Sequence, residues 1–256
     1  MKVDVLFSGS RGNCTLIRDG ETEILIDCGK SARAVCTALR GAGTDIKNIS
    51  AIFITHEHSD HTSALEIVCR SNSFPVHVTE KSAARLALCE CIAKNLVIHK
   101  EEYSEEVGSL KIRSFPLPHD SAANVGYIIE GADGDRLGFA TDMGHVTEVC
   151  ARNLTGCRRI IVEANHDVQM LMEGRYPAVL KRRILSKKGH LSNEDCADFV
   201  ARLAASGCRL FALAHLSPEN NLPEIAFSEV RRALDAEGFE DVEVVVTSRD
   251  EIVSLQ

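Results

Sequence analysis

The chain has 256 residues, of which 45% are hydrophobic and 26% charged, with a net charge of −8. That length allows a sizeable core, and no apolar run approaches the about 18 residues that cross a bilayer. The negative balance excludes a protein that coats nucleic acid by overall attraction, while leaving room for a local basic patch. Ten cysteines occur without a C-x-x-C pair, and the apolar start at residues 3–7 contains Asp4. The N-terminus therefore reads as a strand and not a secretion signal, and the cysteines as reduced thiols of a cytoplasmic protein. Cys89 and Cys91 are too close in sequence for a relaxed bridge and, with no second pair to match, read as packing residues.

Taken in order, strands are expected at residues 4–8, 15–18 and 23–27, then a helix at 32–41 that stops near Gly41 and Gly43, then a buried strand at 51–55. A strand at 76–79 and a helix through 83–91 follow. The middle is strand-rich, at 110–117, 125–130 and 136–140, with a turn at 131–134. The second half alternates again: strand 159–163, helices within 167–185, helix 193–205, strand 209–214, helix 224–236 and strand 242–246. Two rounds of strands and helices fit two sheets packed face to face with helices outside, a four-layer αββα arrangement in a single domain over 1–256.

The run His56-Glu57-His58-Ser59-Asp60-His61 begins where the strand at 51–55 ends. Side chains alternate along an extended chain, so His56 and His58 point the same way and can hold one cation. A turn into a helix near His61 lets Asp60 and His61 face a second cation, about 3.5–4 Å from the first as in two-metal hydrolases. His119, Asp142 and His215 each break an apolar run at its C-terminal edge. His119 completes the first set, His215 the second, and Asp142, with two oxygens, suits a bridging position.

These residues, with Asp27 in Leu25-Ile26-Asp27, resemble the motifs of the metallo-β-lactamase superfamily across nearly the whole chain. Gly9-Ser10-Arg11-Gly12-Asn13, Thr141-Asp142-Met143-Gly144, Glu163-Ala164-Asn165-His166-Asp167, Gly189-His190-Leu191-Ser192 and His215-Leu216-Ser217-Pro218-Glu219-Asn220-Asn221 are similar to the YycJ/WalJ group. The resemblance implies a bacterial cytosolic nuclease with 5′ to 3′ exonuclease action on double-stranded DNA. Late motifs are also similar to tRNA 3′-processing endonucleases, but the closing run has no arginine and there is no long Gly/Pro-rich arm. Flavodiiron-type oxidases carry a glutamate where His58 stands, so hydrolysis is favoured over redox chemistry.

The expected chemistry is attack on a phosphodiester by a metal-activated hydroxide, since two cations sharing a water lower its pKa to about 7. Asp60 is expected to orient the nucleophile and bind metal, and His190 or His166 to stabilise the phosphorane or protonate the leaving oxygen. Imidazole and carboxylate donors suit zinc, manganese and iron alike. Ser10 and Asn13 of the glycine-rich loop, and Lys181, Arg182 and Lys187 of the densest basic segment, are candidate contacts to a DNA backbone. Two other readings share the same ligands: a hydrolase of RNA, a small phosphodiester, a thioester or a lactone, and a metal-bearing binding protein without catalysis.

Overall fold

A computed structural model describes residues 1–255. Strands β1 (Lys2–Phe7), β2 (Cys14–Asp19) and β3 (Thr22–Ile26) lead to helix α1 (Ala32–Gly41). Ser31 caps α1 by accepting from Ala34 N, and Gly43, with φ 84°, turns the chain away after it. Next come β4 (Ala51–Phe53), α2 (Ser59–Thr62), α3 (Leu65–Ser71), β5 (Val76–Thr79), α4 (Glu80–Leu86), α5 (Glu90–Ala93) and β6 (Leu96–His99). The second half runs β7 (Ser104–Val107), β8 (Leu110–Leu117), β9 (Asn124–Glu130), β10 (Arg136–Ala140), α6 (Glu148–Leu154) and β11 (Arg159–Glu163). It continues α7 (Val168–Glu173), α8 (Ala178–Ile184), α9 (Asn193–Ala205), β12 (Leu210–Ala214), α10 (Pro223–Ala236), β13 (Glu243–Val246) and β14 (Val253–Leu255).

Two seven-stranded sheets result, ordered β14-β1-β2-β3-β4-β5-β6 and β13-β12-β11-β10-β9-β8-β7. Each pairs an antiparallel meander with a parallel half, β3 to β6 in one and β10 to β13 in the other. The central parallel strands β4, β5, β11 and β12 are buried along their whole length, as expected of strands covered on both faces. Val5, Ile26, Phe53, Tyr127, Phe139 and Ile161 belong to the core between the sheets. A second core joins the first sheet to α1 and α3 through Val35, Leu39, Leu65 and Val68, and a third joins the other sheet to α6, α9 and α10. This is the αββα arrangement expected. Among the described residues no helix is long and apolar enough to cross a membrane.

The structure departs from the sequence reading at several elements. The helix expected over 83–91 is two short helices, α4 and α5, parted at residues 87–89, where Leu88 is 89% exposed. Strands β6, β7 and β14 were not anticipated: β6 and β7 lie at sheet edges and bury little, and β14 has three residues. Helices α3 and α6 were also missed, each only seven residues long.

Tyr127 ties the two sheets where they matter most, since its buried hydroxyl donates to Ile54 O at 2.8 Å, two residues before His56. Tyr127→Phe leaves that carbonyl without its donor and is expected to destabilise the fold by about 1–2 kcal/mol, read by urea denaturation. An unshifted midpoint would show that the tether carries no load.

Candidate metal centre

The site lies at the C-terminal edges of parallel strands from both sheets. Asp27, Asp142 and His215 follow β3, β10 and β12 and have left-handed backbone, with φ 62°, 59° and 58°. Such conformations cost about 1–3 kcal/mol in non-glycine residues and persist where surrounding bonds hold them. Here they do: Asn124 Nδ2 donates to Asp142 O at 2.6 Å, Ser8 Oγ accepts from His215 N at 2.8 Å, and Asn165 Nδ2 donates to His215 O at 2.8 Å. Each turn folds a polar side chain back over its strand end.

The histidine run leaves β4 extended and enters α2 at Ser59, with His58 as the extended cap residue. Alternation separates its first three side chains. His56 and His58 join His119 in one donor group, with ring centroids 4.5 to 5.2 Å apart. Glu57 points away, accepting from Ser82 Oγ and Ala122 N, both at 2.8 Å, and so braces the loop that carries His119. Asp60, His61 and His215 form a second group, and Asp142 joins His56 and His61 in a third. His61 Nε2 lies 3.4 Å from both Asp60 Oδ2 and Asp142 Oδ2, and His215 Nε2 lies 3.6 Å from Asp60 Oδ2. Donors each about 2.1 Å from one tetrahedral cation lie about 3.4 Å apart, so this spacing suits atoms that share a cation.

The imidazoles are oriented from behind. His61 Nδ1 lies 2.7 Å from Asp27 Oδ2, His119 Nδ1 3.1 Å from Gly189 O, His215 Nδ1 3.1 Å from Glu163 Oε1, and His56 Nδ1 3.0 Å from Thr55 Oγ1. Asp27 is itself fixed by Thr55 N, which donates to it at 2.9 Å. Gly189 is required there, because a Cβ would stand 2.0 Å from Ile184 O. His56 Nε2, His215 Nε2 and Asp142 Oδ2 are buried without a hydrogen-bond partner among the described residues. Buried polar atoms are rarely left so, and three of them converging on one space fit a divalent cation.

The electrostatics agree. Burial opposes charge on His215, yet Asp142, Asp60 and Glu163 raise its pKa to about 10. Burial likewise opposes charge on His61 and His190, and Asp27 and Glu163 respectively lift them above the usual imidazole value. The carboxylates thus demand positive charge, which a cation supplies as well as protons do. His56 is held well below the ordinary value by burial and its imidazole neighbours, the neutral form that ligates metal.

The remaining expected residues fall into different places. His190 is in the site, its Nδ1 2.7 Å from Glu163 Oε1 and 3.6 Å from Asp142 Oδ1. His166 is buried, with neither ring nitrogen hydrogen-bonded among the described residues, and burial lowers its pKa to about 4, which favours the neutral ring at neutral pH. Asn13, expected against substrate, is buried and turned inward, its Oδ1 accepting from Gly9 N and its Nδ2 3.0 Å from His61 Nε2. Ser10 lines the cleft with His190 and His215. Lys181, Arg182 and Lys187 do not line it: Lys181 Nζ donates to Met172 O at 2.6 Å, and Arg183, paired with Asp120, is the cation of that segment that faces the cleft. Sequence reasoning passed over Glu163, fully buried and accepting from Met143 N at 2.8 Å and Leu191 N at 3.2 Å. A charged residue closing the apolar strand Arg159–Glu163 was the available signal.

A beta-lactamase superfamily domain model matches residues 22–215. The chain is 35% identical to an exodeoxyribonuclease YycJ of Bacillus anthracis, covering 92% of this chain and 89% of that protein. It is 33% identical to an exodeoxyribonuclease WalJ of Streptococcus pneumoniae serotype 2, covering 88% and 85%. Among solved structures, the metallo-beta-lactamase fold protein YhfI from Bacillus subtilis superposes with a TM-score of 0.75 at 14% identity over 99% of both chains, a likeness of fold. With the family model matching most of the chain and the donor groups of the family's metal chemistry brought together, the chain belongs to the beta-lactamase superfamily, as a metal-dependent hydrolase with the metallo-β-lactamase fold.

Proposed function

We propose that the chain is a phosphodiesterase that removes nucleotides from the 5′ ends of double-stranded DNA. In this reading His56, His58 and His119 would hold one divalent cation and Asp60, His61 and His215 a second, with Asp142 as a further donor, and zinc, manganese or iron would suit these donors. The observation that carries it is the convergence of both donor groups beside a cleft whose wall includes Arg183 and His190. The 35% identity to a protein named exodeoxyribonuclease supports the choice of DNA. Such cations, when bound, supply Lewis acidity toward phosphate oxygens and acidify water.

The chain's own residues do the rest. Asp60, whose carboxyl is held well below its usual range by His215 and His61 against the opposing effect of burial, stays an acceptor and orients a water for attack. His190, whose pKa Glu163 raises against the opposing effect of burial, presents its other ring nitrogen toward the departing oxygen as a donor. Arg183 takes a backbone phosphate on one side. On the other side of the loop at 8–12, Arg11, Lys30 and Arg249 surround a small recess with one carboxylate, Asp250, among them. These local cations let a chain of net charge −8 hold a polyanion. The cleft wall is mixed, with Tyr176 and Leu180 beside Ser10, Asp120, Asn165 and Ser217.

A 5′-phosphorylated duplex incubated with manganese is expected to lose nucleotides from that end on a gel, and Asp60→Ala to abolish the loss. No release with manganese, zinc or iron would remove the DNA reading and favour another substrate. His190→Ala is expected to lower kcat by about 10²–10⁴-fold with bound metal unchanged by elemental analysis. Equal loss of metal would instead make His190 a ligand. Arg183→Ala should raise KM for DNA and reduce the salt slope of binding by about one, leaving hydrolysis of a chromogenic phosphodiester unaltered.

A further inference from the structure

Ten cysteines serve no part of this centre, and two of them are placed unlike the rest. Seven are buried and Cys36, Cys89 and Cys91 are half-buried. Burial pushes the thiols of all seven buried cysteines upward, which keeps them inert. In the continuous helix expected over 83–91, residues two apart would not face each other. The helix instead stops at Leu86, Cys89 adopts extended backbone with φ −99° and ψ 114°, and α5 begins at Glu90. That break turns the side chain of Cys89 onto Cys91, and the two sulfurs lie 2.9 Å apart. Cys91 Sγ also lies 3.4 Å from Glu66 O, which sets it against α3. The hydrogen bond from Cys91, with help from the Ile92 and Cys91 N–H groups, favours the thiolate of Cys89.

We infer that Cys89 and Cys91 are a redox pair, which a low-molecular-weight disulfide oxidises reversibly to an intrachain bridge. The Cys89 thiolate attacks one sulfur of the small disulfide, forming a mixed disulfide and expelling one thiolate. Cys91, its proton lost to solvent, then attacks the Cys89 sulfur, forming the Cys89–Cys91 bond and expelling the second thiolate. Two protein thiols are oxidised and one small disulfide is reduced to two thiols, so the electrons balance. A bridge over so short a loop is strained, and strained, accessible bridges are the readily reduced kind, so excess small thiol reverses the step. The inference stands whatever the hydrolase acts on.

Trypsin cutting after Arg85 and Lys94 releases residues 86–94, which contain both cysteines and no other. The reduced, full-length protein is incubated with oxidised glutathione, alkylated, digested and weighed by mass spectrometry. The expected peptide is unalkylated and lighter than the reduced form by two hydrogens, reverts with reduced glutathione, and appears while Cys36 is still alkylated. Cys91→Ser is expected to trap glutathione on Cys89, and Cys89→Ser to leave Cys91 alkylatable; the wild-type peptide decides the case if either variant misfolds. Alkylation of both thiols throughout the series would overturn the inference, as would glutathione retained on both. Protection from alkylation without the mass loss would also overturn it, because the pair with Glu66 would then be holding a soft cation.

Discussion

Four carboxylates, Asp27, Asp60, Asp142 and Glu163, and six imidazoles, His56, His58, His61, His119, His190 and His215, share a space from which water is mostly excluded, and compensating that charge is what the rest of the structure answers to. An unpaired buried charge costs several kcal/mol, so each carboxylate must be met from several directions. Glu163 is met by two backbone N–H groups and two imidazoles, and Asp27 by Thr55 and His61. Asp142 Oδ2 is left over, beside the unpaired nitrogens of His56 and His215. Among the described residues these three atoms, all on residues of the donor groups, stay without a hydrogen-bond partner, which is the pattern of a site built around a cation.

One sheet cannot provide this many partners at one point. The sandwich does, because β3 and β4 of one sheet and β10, β11 and β12 of the other end on the same side, each delivering an acid or an imidazole at or just past its last residue. The parallel halves of the two sheets thus converge on the site. Burial of β4, β11 and β12 along their full length fixes where their ends lie, and the left-handed turns at Asp27, Asp142 and His215 fix where the side chains go. Packing between the sheets is therefore also positional control of the donors. Tyr127, reaching from β9 to Ile54, is the shortest link between the two functions.

Much of this was legible in the sequence for a physical reason. Buried parallel strands must be continuously apolar, so the polar residue that ends each one stands out, and His56 to His61, Asp142 and His215 were found that way, while His119 stood out after the apolar end of the antiparallel β8. Glu163 obeys the same rule but was read as part of a motif, because one carboxylate at a strand end has many innocent uses. What was not legible depends on the third dimension. Nothing local announces that Glu57 faces Ser82, that Asn13 turns toward His61, or that Arg183 and not Lys181 lines the cleft. The break between α4 and α5 was hidden for another reason: residues 83–91 contain no glycine or proline, and tertiary contacts between α3 and α5 override local preference.

The dependence of orientation on shared carboxylates has a further consequence for the proposed chemistry. His215 and His190 both lean through Nδ1 on Glu163 Oε1, so one oxygen sets the tautomer of a candidate ligand and the charge of a candidate acid. Those two duties pull apart: a ligand must present a neutral nitrogen, whereas an acid must keep its proton. With positive charge supplied at the centre, His215 no longer needs its own proton, and the carboxylate's pull falls on His190, which is 22% exposed and on the cleft. Coordination and proton donation are then not independent features of the site. In the proposed reading, filling one would prepare the other, and Glu163, held by both imidazoles, is the residue through which that dependence would run.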